Sequence, residues 1–255
     1  MELASEPDLS KTPNTEPNLT MPILTTETPF DLVHVGKCGG GSVALSLRAA
    51  NFQFSQLHMQ KPVASPNKAY VILVRDPVAR FVSAFNWRKH LYSTGVLPRP
   101  NATGSLSKLR HRAERELIFL FESANALAEQ LGTDCSSEAS SASSLLTLIG
   151  HVPQGFDWYL GRLLEQIEPR QIVGIICTEN FSGDFKHLFG FPPSQDQNRL
   201  NYTLGVQISE KGRASLAKES DKEYAVLHKL SLMAQSTGVR MSMRYDREHG
   251  ALPNS

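Results

Sequence analysis

Residues 31–48 read DLVHVGKCGGGSVALSLR, and residues 70–88 read YVILVRDPVARFVSAFNWR. Each stretch is a short apolar run, then a turn that carries a cation, then a segment typical of a helix. In the second stretch, Asp76 is suited to cap a helix and Pro77 costs nothing at the first helical position. Two strand–turn–helix units with a cation at each turn are what a phosphate-rich nucleotide needs from a protein.

The rest of the chain extends this pattern into one α/β domain. Residues 52–57 and 171–177 are further apolar strand candidates separated by helical segments. Strands that alternate with helices favour a P-loop-like three-layer sandwich, with a central parallel sheet flanked by helices. We expect a disordered leader over residues 1–28, the domain over residues 29–240 and a tail over residues 241–255.

Further helices are predicted after the second unit, one of which follows the strand candidate at residues 171–177 and continues through Phe189. The periodicity indicates one long amphipathic helix over residues 110–131 and another helix over residues 157–168. Ser220 and Glu223 have the spacing of a capping box and predict the start of the last helix.

Composition excludes several classes of protein. The net charge of +1 gives no global field for nucleic acid or a membrane surface, so an anion site must be local. Three cysteines form neither a disulfide framework nor a metal-binding spacing. Without an apolar run of membrane-spanning length or a signal peptide, the sequence predicts a soluble, cytoplasmic, bacterial protein. Its expected partner is a small molecule or a glycan, and its oligomeric state stays open.

The glycine-rich turn GKCGGGS predicts an anion cradle. Successive glycines let backbone N–H groups point into one concavity, and the following helix, which we expect to begin at Ser42, adds its dipole. Lys37 supplies a full charge. The turn is not a Walker A loop, because that motif places its lysine after the last glycine. The alternative is a tight strand–helix connection with an exposed lysine.

The second turn places Arg75 at the carboxyl end of a buried strand, where ligands collect in open α/β sheets. Ser83 follows eight residues later and is expected to join Arg75 on one phosphate. The alternative is that Arg75 pairs with Asp76 or another carboxylate.

Both turns resemble motifs of one enzyme family. GKCGGGS resembles the 5′-phosphosulfate loop of sulfotransferases that use 3′-phosphoadenosine 5′-phosphosulfate (PAPS), and RDPVARFVSAF resembles their 3′-phosphate loop. The carbohydrate (membrane-type) sulfotransferases and their bacterial relatives are the most similar. HVPQGFDWYLG and IVGIICTENF extend the resemblance, which covers roughly residues 30–235.

The resemblance implies transfer of a sulfuryl group from PAPS to an acceptor hydroxyl, without a metal. Lys37 would neutralise charge on the departing phosphate, and Arg75 with Ser83 would bind the 3′-phosphate. The 5′-phosphate would be held by Ser42 and the turn residues Cys38, Gly39, Gly40 and Gly41. The chain departs from the family pattern at Gly36, Cys38 and Gly41, where proline, threonine or alanine, and threonine are usual.

An acceptor hydroxyl needs a general base, and histidine has a suitable pKa. His58 follows the second strand at the expected site and is our first choice, because the resemblance implies a base from this region. His151 is the second choice. His34 lies inside the first strand and is expected to be a hydrogen-bonded core residue. Glu179 is expected either to orient the base or acceptor, or to sit at a helix N-terminus.

Three rival hypotheses remain open. Cys38 lies beside Lys37 and a helix N-terminus, which predicts a lowered thiol pKa and raises the hypothesis of a nucleophilic cysteine. Because this turn does not place a cysteine and an arginine at the two ends of one anion loop, we expect Cys38 to be a residue of the anion cradle instead. A nucleotide or small-molecule kinase is weakened by the position of Lys37. The third rival is a non-catalytic nucleotide-binding relative, which the altered first motif supports.

Overall fold

The computed structural model describes residues 24–96, 105–131, 144–194 and 207–243, with side chains from residue 109 in the second range. The predicted fold class is confirmed, because a parallel four-stranded sheet forms the centre and helices flank it. Most of the predicted leader (1–23) and tail (244–255) lies outside these residues. None of the helices within the described ranges is long and apolar enough to span a membrane.

The sheet contains β1 (Phe30–Val33), β2 (Phe54–Leu57), β3 (Tyr70–Val74) and β4 (Ile172–Cys177). The strand order is β2-β1-β3-β4, and every neighbouring pair is parallel. All residues of β1 and β3 are buried, as expected of strands covered on both faces. The carboxyl ends of all four strands therefore meet at one edge of the sheet.

The α-helices are interspersed with the strands along the chain. They are α1 (Gly40–Ala49), α2 (Pro77–Ser93), α3 (Ser105–Leu120), α4 (Ala124–Leu131), α5 (Leu163–Gln166), α6 (Phe181–Phe189), α7 (Glu210–Glu219) and α8 (Asp221–Thr237). A π-helical turn, Asp157–Gly161, precedes α5. Asp76 caps α2 as predicted, since its carboxylate accepts the Ala79 N–H at 2.8 Å.

The prediction of one long helix over residues 110–131 is wrong. The chain breaks between α3 and α4, where Lys89 of α2 donates its ammonium group to the carbonyls of Phe121 and Glu122, at 2.8 Å each. Ser123 then caps α4 by accepting the Ala126 N–H. Hydrogen bonds from Lys89, more than thirty positions earlier in the chain, thus replace the helical bonds that are lost over residues 121–123.

The predicted capping box at the start of α8 is also wrong. The Ser220 side chain makes no capping hydrogen bond there. The carboxylate of Glu223 instead binds the guanidinium of Arg80, with N–O distances of 2.8 and 3.0 Å. A buried arginine on α2 outcompetes the local backbone for this carboxylate, because an unpaired buried charge is far more costly than an uncapped N–H group.

The folded part of the chain extends beyond both predicted boundaries. Leu24 is buried in the core, and its N–H donates to the carbonyl of Leu188, so the fold begins by residue 24 rather than after residue 28. At the other end, the Ser242 hydroxyl donates to the carboxylate of buried Asp184, and Met243 is buried. The predicted tail therefore does not begin at residue 241.

Candidate active site

The carboxyl edge of the sheet brings the predicted site residues into one region. Lys37 lies in the turn after β1, His58 directly follows β2, and Arg75 directly follows β3. Glu179 follows β4 in the same way. This edge is where open α/β sheets bind their ligands.

Lys37 adopts an unusual backbone conformation that aims its side chain at α2. Its φ angle is 71°, in the left-handed region that non-glycine residues rarely occupy. The ammonium group lies 4.6 Å from the centre of the Trp87 ring. Burial, and secondarily the charge of Arg75, lowers the pKa of Lys37 from 10.5 to about 8. The lysine is thus a preorganised cation that remains mostly protonated at neutral pH and lacks a carboxylate partner among the described residues.

The glycine turn ends in an open helix N-terminus. Gly39 is the N-cap of α1 in the left-handed conformation, and no side chain caps the helix. The helix begins at Gly40, two residues before the predicted start at Ser42. Ser42 is buried with 5% of its surface exposed, whereas Gly41 is exposed. A ligand at this terminus would meet backbone N–H groups rather than the Ser42 side chain.

The structure contradicts the predictions that Cys38 has a lowered thiol pKa and lines the anion cradle. The residue is completely buried, and its thiol points back toward the carbonyl of Gly36 at 3.9 Å. Burial raises the thiol pKa to about 12, despite the opposing charges of Arg80 and Arg75. Cys38 therefore belongs to the core beneath the turn, and neither a nucleophilic nor a ligand-facing role fits this position.

Arg75 binds the glycine turn directly. One guanidinium nitrogen donates to the carbonyl of Lys37 at 3.1 Å. The alternative of an Arg75–Asp76 pair is not realised, because the Asp76 carboxylate accepts from the Ala79 N–H and the Tyr224 hydroxyl. The two turns therefore form one physical unit.

Ser83 and Trp87 lie one turn apart on α2 and are both half-buried. The Lys37 ammonium group lies over the Trp87 ring, so Ser83, one turn earlier, lies on the same side of α2 as this contact.

Glu179 binds the protein backbone, because its carboxylate accepts the Asp76 N–H at 2.9 Å. This agrees with a helix N-terminal role for Glu179 and not with orienting a base.

Three histidines form a row next to the glycine turn. The rings of His34 and His58 stack with centroids 4.1 Å apart, and the His58 and His151 centroids lie 6.2 Å apart. His58, in the middle, is the exposed member, while His34 and His151 are half-buried. Of the three, His58 is thus the ring that solvent or a substrate reaches most easily.

The two outer histidines are held neutral. Burial, followed by the charges of His58, His151 and Lys37, lowers the pKa of His34 to about 3. Burial, followed by Lys37 and His58, lowers the pKa of His151 to about 4. Moreover, the Nδ1 atom of His151 is buried and has no hydrogen-bond partner among the described residues.

The loop that carries His151 is fastened by α2. Arg80 donates to the carbonyls of His151 and Val152 at 2.7 and 3.3 Å. The N–H of Gly150, the residue just before His151, donates to Glu114, which also binds Arg88 of α2. These arginines escaped the sequence analysis, although buried cations on an otherwise apolar helix face are a recognisable signal.

Gly36 provides the space that His151 occupies. A Cβ atom at Gly36 would lie 2.8 Å from the His151 Nδ1 atom, closer than real contacts allow. His151 itself has a φ angle of 73°. The departure from proline at Gly36 is therefore explained by packing against this histidine.

Backbone strain is concentrated around the site. Across the described ranges, four non-glycine residues have positive φ angles, and three of them are Lys37, Met59 (next to His58) and His151. Such conformations cost free energy and persist where the surroundings impose them, often at functional sites. A cavity of about 300 Å³ near the Asp31–Lys68 ion pair, at the opposite edge of the sheet, contains none of the predicted site residues.

The described residues contain no group of three or more His, Cys, Asp or Glu side chains arranged to hold a metal ion. No family model, no curated protein and no solved structure matches this chain. The candidate site is therefore defined by its own geometry: a preorganised lysine, an open helix N-terminus, an arginine that joins two turns, and an exposed histidine between two neutral ones.

Proposed function

We propose that this protein is a sulfotransferase that moves a sulfuryl group from PAPS to a hydroxyl of a carbohydrate or another small acceptor. The observation that carries the proposal is the bond from Arg75 to the Lys37 carbonyl. It joins the turn that resembles a 5′-phosphosulfate loop to the turn that resembles a 3′-phosphate loop. A nucleotide phosphorylated at both positions needs cations at both turns at once.

The sulfuryl donor PAPS would bind across the two turns that Arg75 connects. Backbone N–H groups at the start of α1 would hold the 5′-phosphate, and the nitrogens of Arg75 that do not bind Lys37 would face the 3′-phosphate together with Ser83. Lys37 would neutralise the negative charge that develops on the departing phosphate oxygen. Because Lys37 is already oriented by Trp87, little reorganisation is needed during the reaction.

In the transfer step, the acceptor oxygen bonds to sulfur as the bond between sulfur and the phosphate oxygen breaks. The electron pair of that bond leaves with the phosphate of adenosine 3′,5′-bisphosphate. His58 takes the proton of the acceptor hydroxyl, and its exposure lets it release this proton to solvent. Lys37 and the helix N-terminus offset the charge of the leaving phosphate, as in phosphoryl transfer.

The test combines binding with turnover in the intact chain. We expect adenosine 3′,5′-bisphosphate to raise the melting temperature more than ATP or ADP does, and labelled sulfate from PAPS to appear on a hydroxylated acceptor in a carbohydrate panel. His58→Ala should abolish most turnover and leave nucleotide binding intact, with His228→Ala, on α8, as the control. Equal stabilisation by ATP and adenosine 3′,5′-bisphosphate would contradict the proposal.

A second candidate function is nucleotide binding without catalysis. Two of the three departures from the family motif have packing explanations, since Cys38 is core and Gly36 makes room for His151. They therefore give this candidate less support than the sequence alone does. Tight binding of adenosine 3′,5′-bisphosphate with no sulfate transfer to any acceptor would favour it, and phosphate transfer from ATP would favour a kinase.

A further inference from the structure

We propose that Arg48, Gln56 and His34 form a hydrogen-bonded positioning chain that keeps the ring next to His58 neutral, so that the Nε2 atom of His58 alone accepts the acceptor's proton. This inference deepens the proposed function and rests on it. None of the three residues in the chain needs to touch the substrate.

The chain begins with an arginine that fixes an amide. Arg48 of α1 donates to the Oε1 atom of Gln56 at 2.9 Å. Since a guanidinium has donors only, the oxygen of the Gln56 amide must face Arg48. The amide nitrogen then necessarily faces the other way, where it lies 2.7 Å from the Nδ1 atom of His34.

This contact determines the protonation of His34. An amide nitrogen is a donor, so the Nδ1 atom of His34 must accept and cannot carry a proton. His34 is then the neutral ring with its proton on Nε2. Its burial and the low pKa that burial causes agree with this hydrogen-bond argument, which stands on the geometry alone.

The same reasoning fixes His58. Its Nδ1 atom lies 3.3 Å from the backbone carbonyl of His34, which is only an acceptor. The Nδ1 atom of a neutral His58 must therefore carry the proton, and its Nε2 atom is left with a free electron pair. That atom is the base the transfer step requires: it gains the hydroxyl proton as the acceptor oxygen bonds to sulfur.

The position of His34 explains why its charge matters. Its ring stacks on His58 at 4.1 Å and packs on α1 so closely that a Cβ atom at Gly40 would lie 2.0 Å from it. His34 thus fills the space between the glycine turn and the base. A positive charge on this ring would repel the proton arriving at His58.

The remaining charged and titratable groups around the row come from four other elements, one of which is α2, whose Arg80 and Arg88 also lower the pKa of His151. Lys37 of the glycine turn acts on both outer histidines, and His151 closes the row from the loop before the π-helical turn. Tyr159 of that turn accepts the N–H of Met59, beside His58, and remains neutral because burial raises its pKa. Lys37 is mostly protonated at neutral pH and makes no contact with the positioning chain, so His34 is the neighbour whose charge that chain controls.

The first test reads the tautomers directly, without turnover. Long-range proton–nitrogen NMR correlations of the ¹⁵N-labelled full chain should show a proton on Nε2 of His34 and on Nδ1 of His58. A proton on Nδ1 of His34, or a neutral His58 with its proton on Nε2, would overturn the proposal. Because this readout needs no PAPS, it separates failure of the positioning chain from failure of the sulfotransferase proposal.

The second test uses Gln56→Glu to reverse the direction of the hydrogen bond between residue 56 and His34. A carboxylate accepts from both Arg48 and His34, so it requires a proton on the Nδ1 atom of His34 and favours the charged ring. We expect NMR to report a charged His34 near neutral pH, and the acid limb of the kcat/KM profile to move about one pH unit lower or more. Binding of adenosine 3′,5′-bisphosphate should change by less than about threefold, because Gln56 does not face the nucleotide.

The matched control is Gln53→Glu, which adds the same charge at an exposed position just before β2. It should alter neither the tautomers nor the pH profile. A charged His34 in Gln56→Glu with an unchanged acid limb would refute the link between this ring and the base. If Gln56→Glu does not fold, the tautomers of the unsubstituted protein still decide the proposal.

Discussion

The guanidinium of Arg75 donates to the backbone carbonyl of Lys37 across 3.1 Å, and Lys37 is a residue with a left-handed backbone. The bond therefore helps hold a strained turn whose lysine faces Trp87. Under the proposed function Arg75 would have two separable roles, one toward the protein backbone and one toward the nucleotide. Experiments on this residue have to distinguish them.

Arg75→Ala should reduce the affinity for adenosine 3′,5′-bisphosphate by about 10- to 100-fold, the equivalent of a charge-assisted hydrogen bond. Adenosine 5′-phosphate, which lacks the 3′-phosphate, should lose much less. Titration calorimetry with both nucleotides makes the comparison, and Arg112→Ala on the exposed surface of α3 is the control. Equal losses of affinity for the two nucleotides would mean that Arg75 only stabilises the backbone of the glycine turn and does not bind the 3′-phosphate.

If the proposed reaction is correct, Lys37→Met should lower turnover by about 100-fold or more, because it removes the cation that would stabilise the leaving phosphate. The same substitution should stabilise the free protein at pH 7 by about 1–3 kcal/mol. The pKa of Lys37 is about 8 in the folded chain and 10.5 as the ordinary value, so the charged lysine opposes folding fully below pH 8. This cost fades as the pH rises from 8 to 10.5.

Urea denaturation at pH 7 and pH 10 measures this effect, and Lys218→Met on the exposed face of α7 is the control. The stabilisation of Lys37→Met should shrink at pH 10. A variant that is less stable than the unsubstituted protein at pH 7 would show that the ammonium contributes net stability through Trp87.

Binding of a nucleotide anion should raise the pKa of Lys37, because a nearby negative charge favours the protonated lysine. At pH 8.5 the protein should therefore take up a fraction of a proton per nucleotide bound. Calorimetry in two buffers of different ionisation enthalpy measures this uptake. Lys37→Met should abolish most of it, and undiminished uptake in that variant would assign the proton to another group.

Gly40→Ala should destabilise the fold by about 1–3 kcal/mol, because the added methyl group collides with the His34 ring. Gly41→Ala, at the exposed next position of the same helix, should be neutral or should stabilise by up to about 1 kcal/mol. Thermal unfolding of the two variants provides the comparison. Equal stabilities would mean that His34 moves aside without cost.

Cys38 should resist alkylation by iodoacetamide at pH 8 in the folded chain, because burial raises its pKa to about 12 and shields the thiol. Mass spectrometry of the Cys38 peptide, with and without denaturant, measures the difference. Cys38→Ser should cost about 1 kcal/mol of stability and leave turnover unchanged. Rapid labelling in the native state would show instead that the Cys38 thiol is accessible at the surface of the site.

Local signals were sufficient for the sheet and for part of the site. The apolar run Tyr70–Val74 became β3 with the same bounds, and Asp76 with Pro77 marked the start of α2. Because Lys37 and Arg75 lie in the turns after two parallel strands, their meeting at one edge of the sheet follows from the topology. Each of these features depends on residues close together in the sequence.

The features that sequence reasoning missed are long-range. Glu223 had the spacing of a capping residue but binds Arg80, which is 143 positions away. Lys89 interrupts a helix whose periodicity continues through the break. His34 was assigned to the core, and only the assembled sheet places Gln56 beside it. Such choices are decided by the cost of leaving a buried polar group unpaired, which the local sequence does not contain.

The Arg80–Glu223 pair makes completion of the site depend on the order of synthesis. Arg80 holds the carbonyls of the His151 loop, and its own charge is balanced by a residue of α8. A nascent chain that has produced all four strands still lacks that counter-charge until residue 223 has emerged from the ribosome. Premature termination after β4 would therefore leave the buried Arg80, which binds the His151 loop, without its counter-charge.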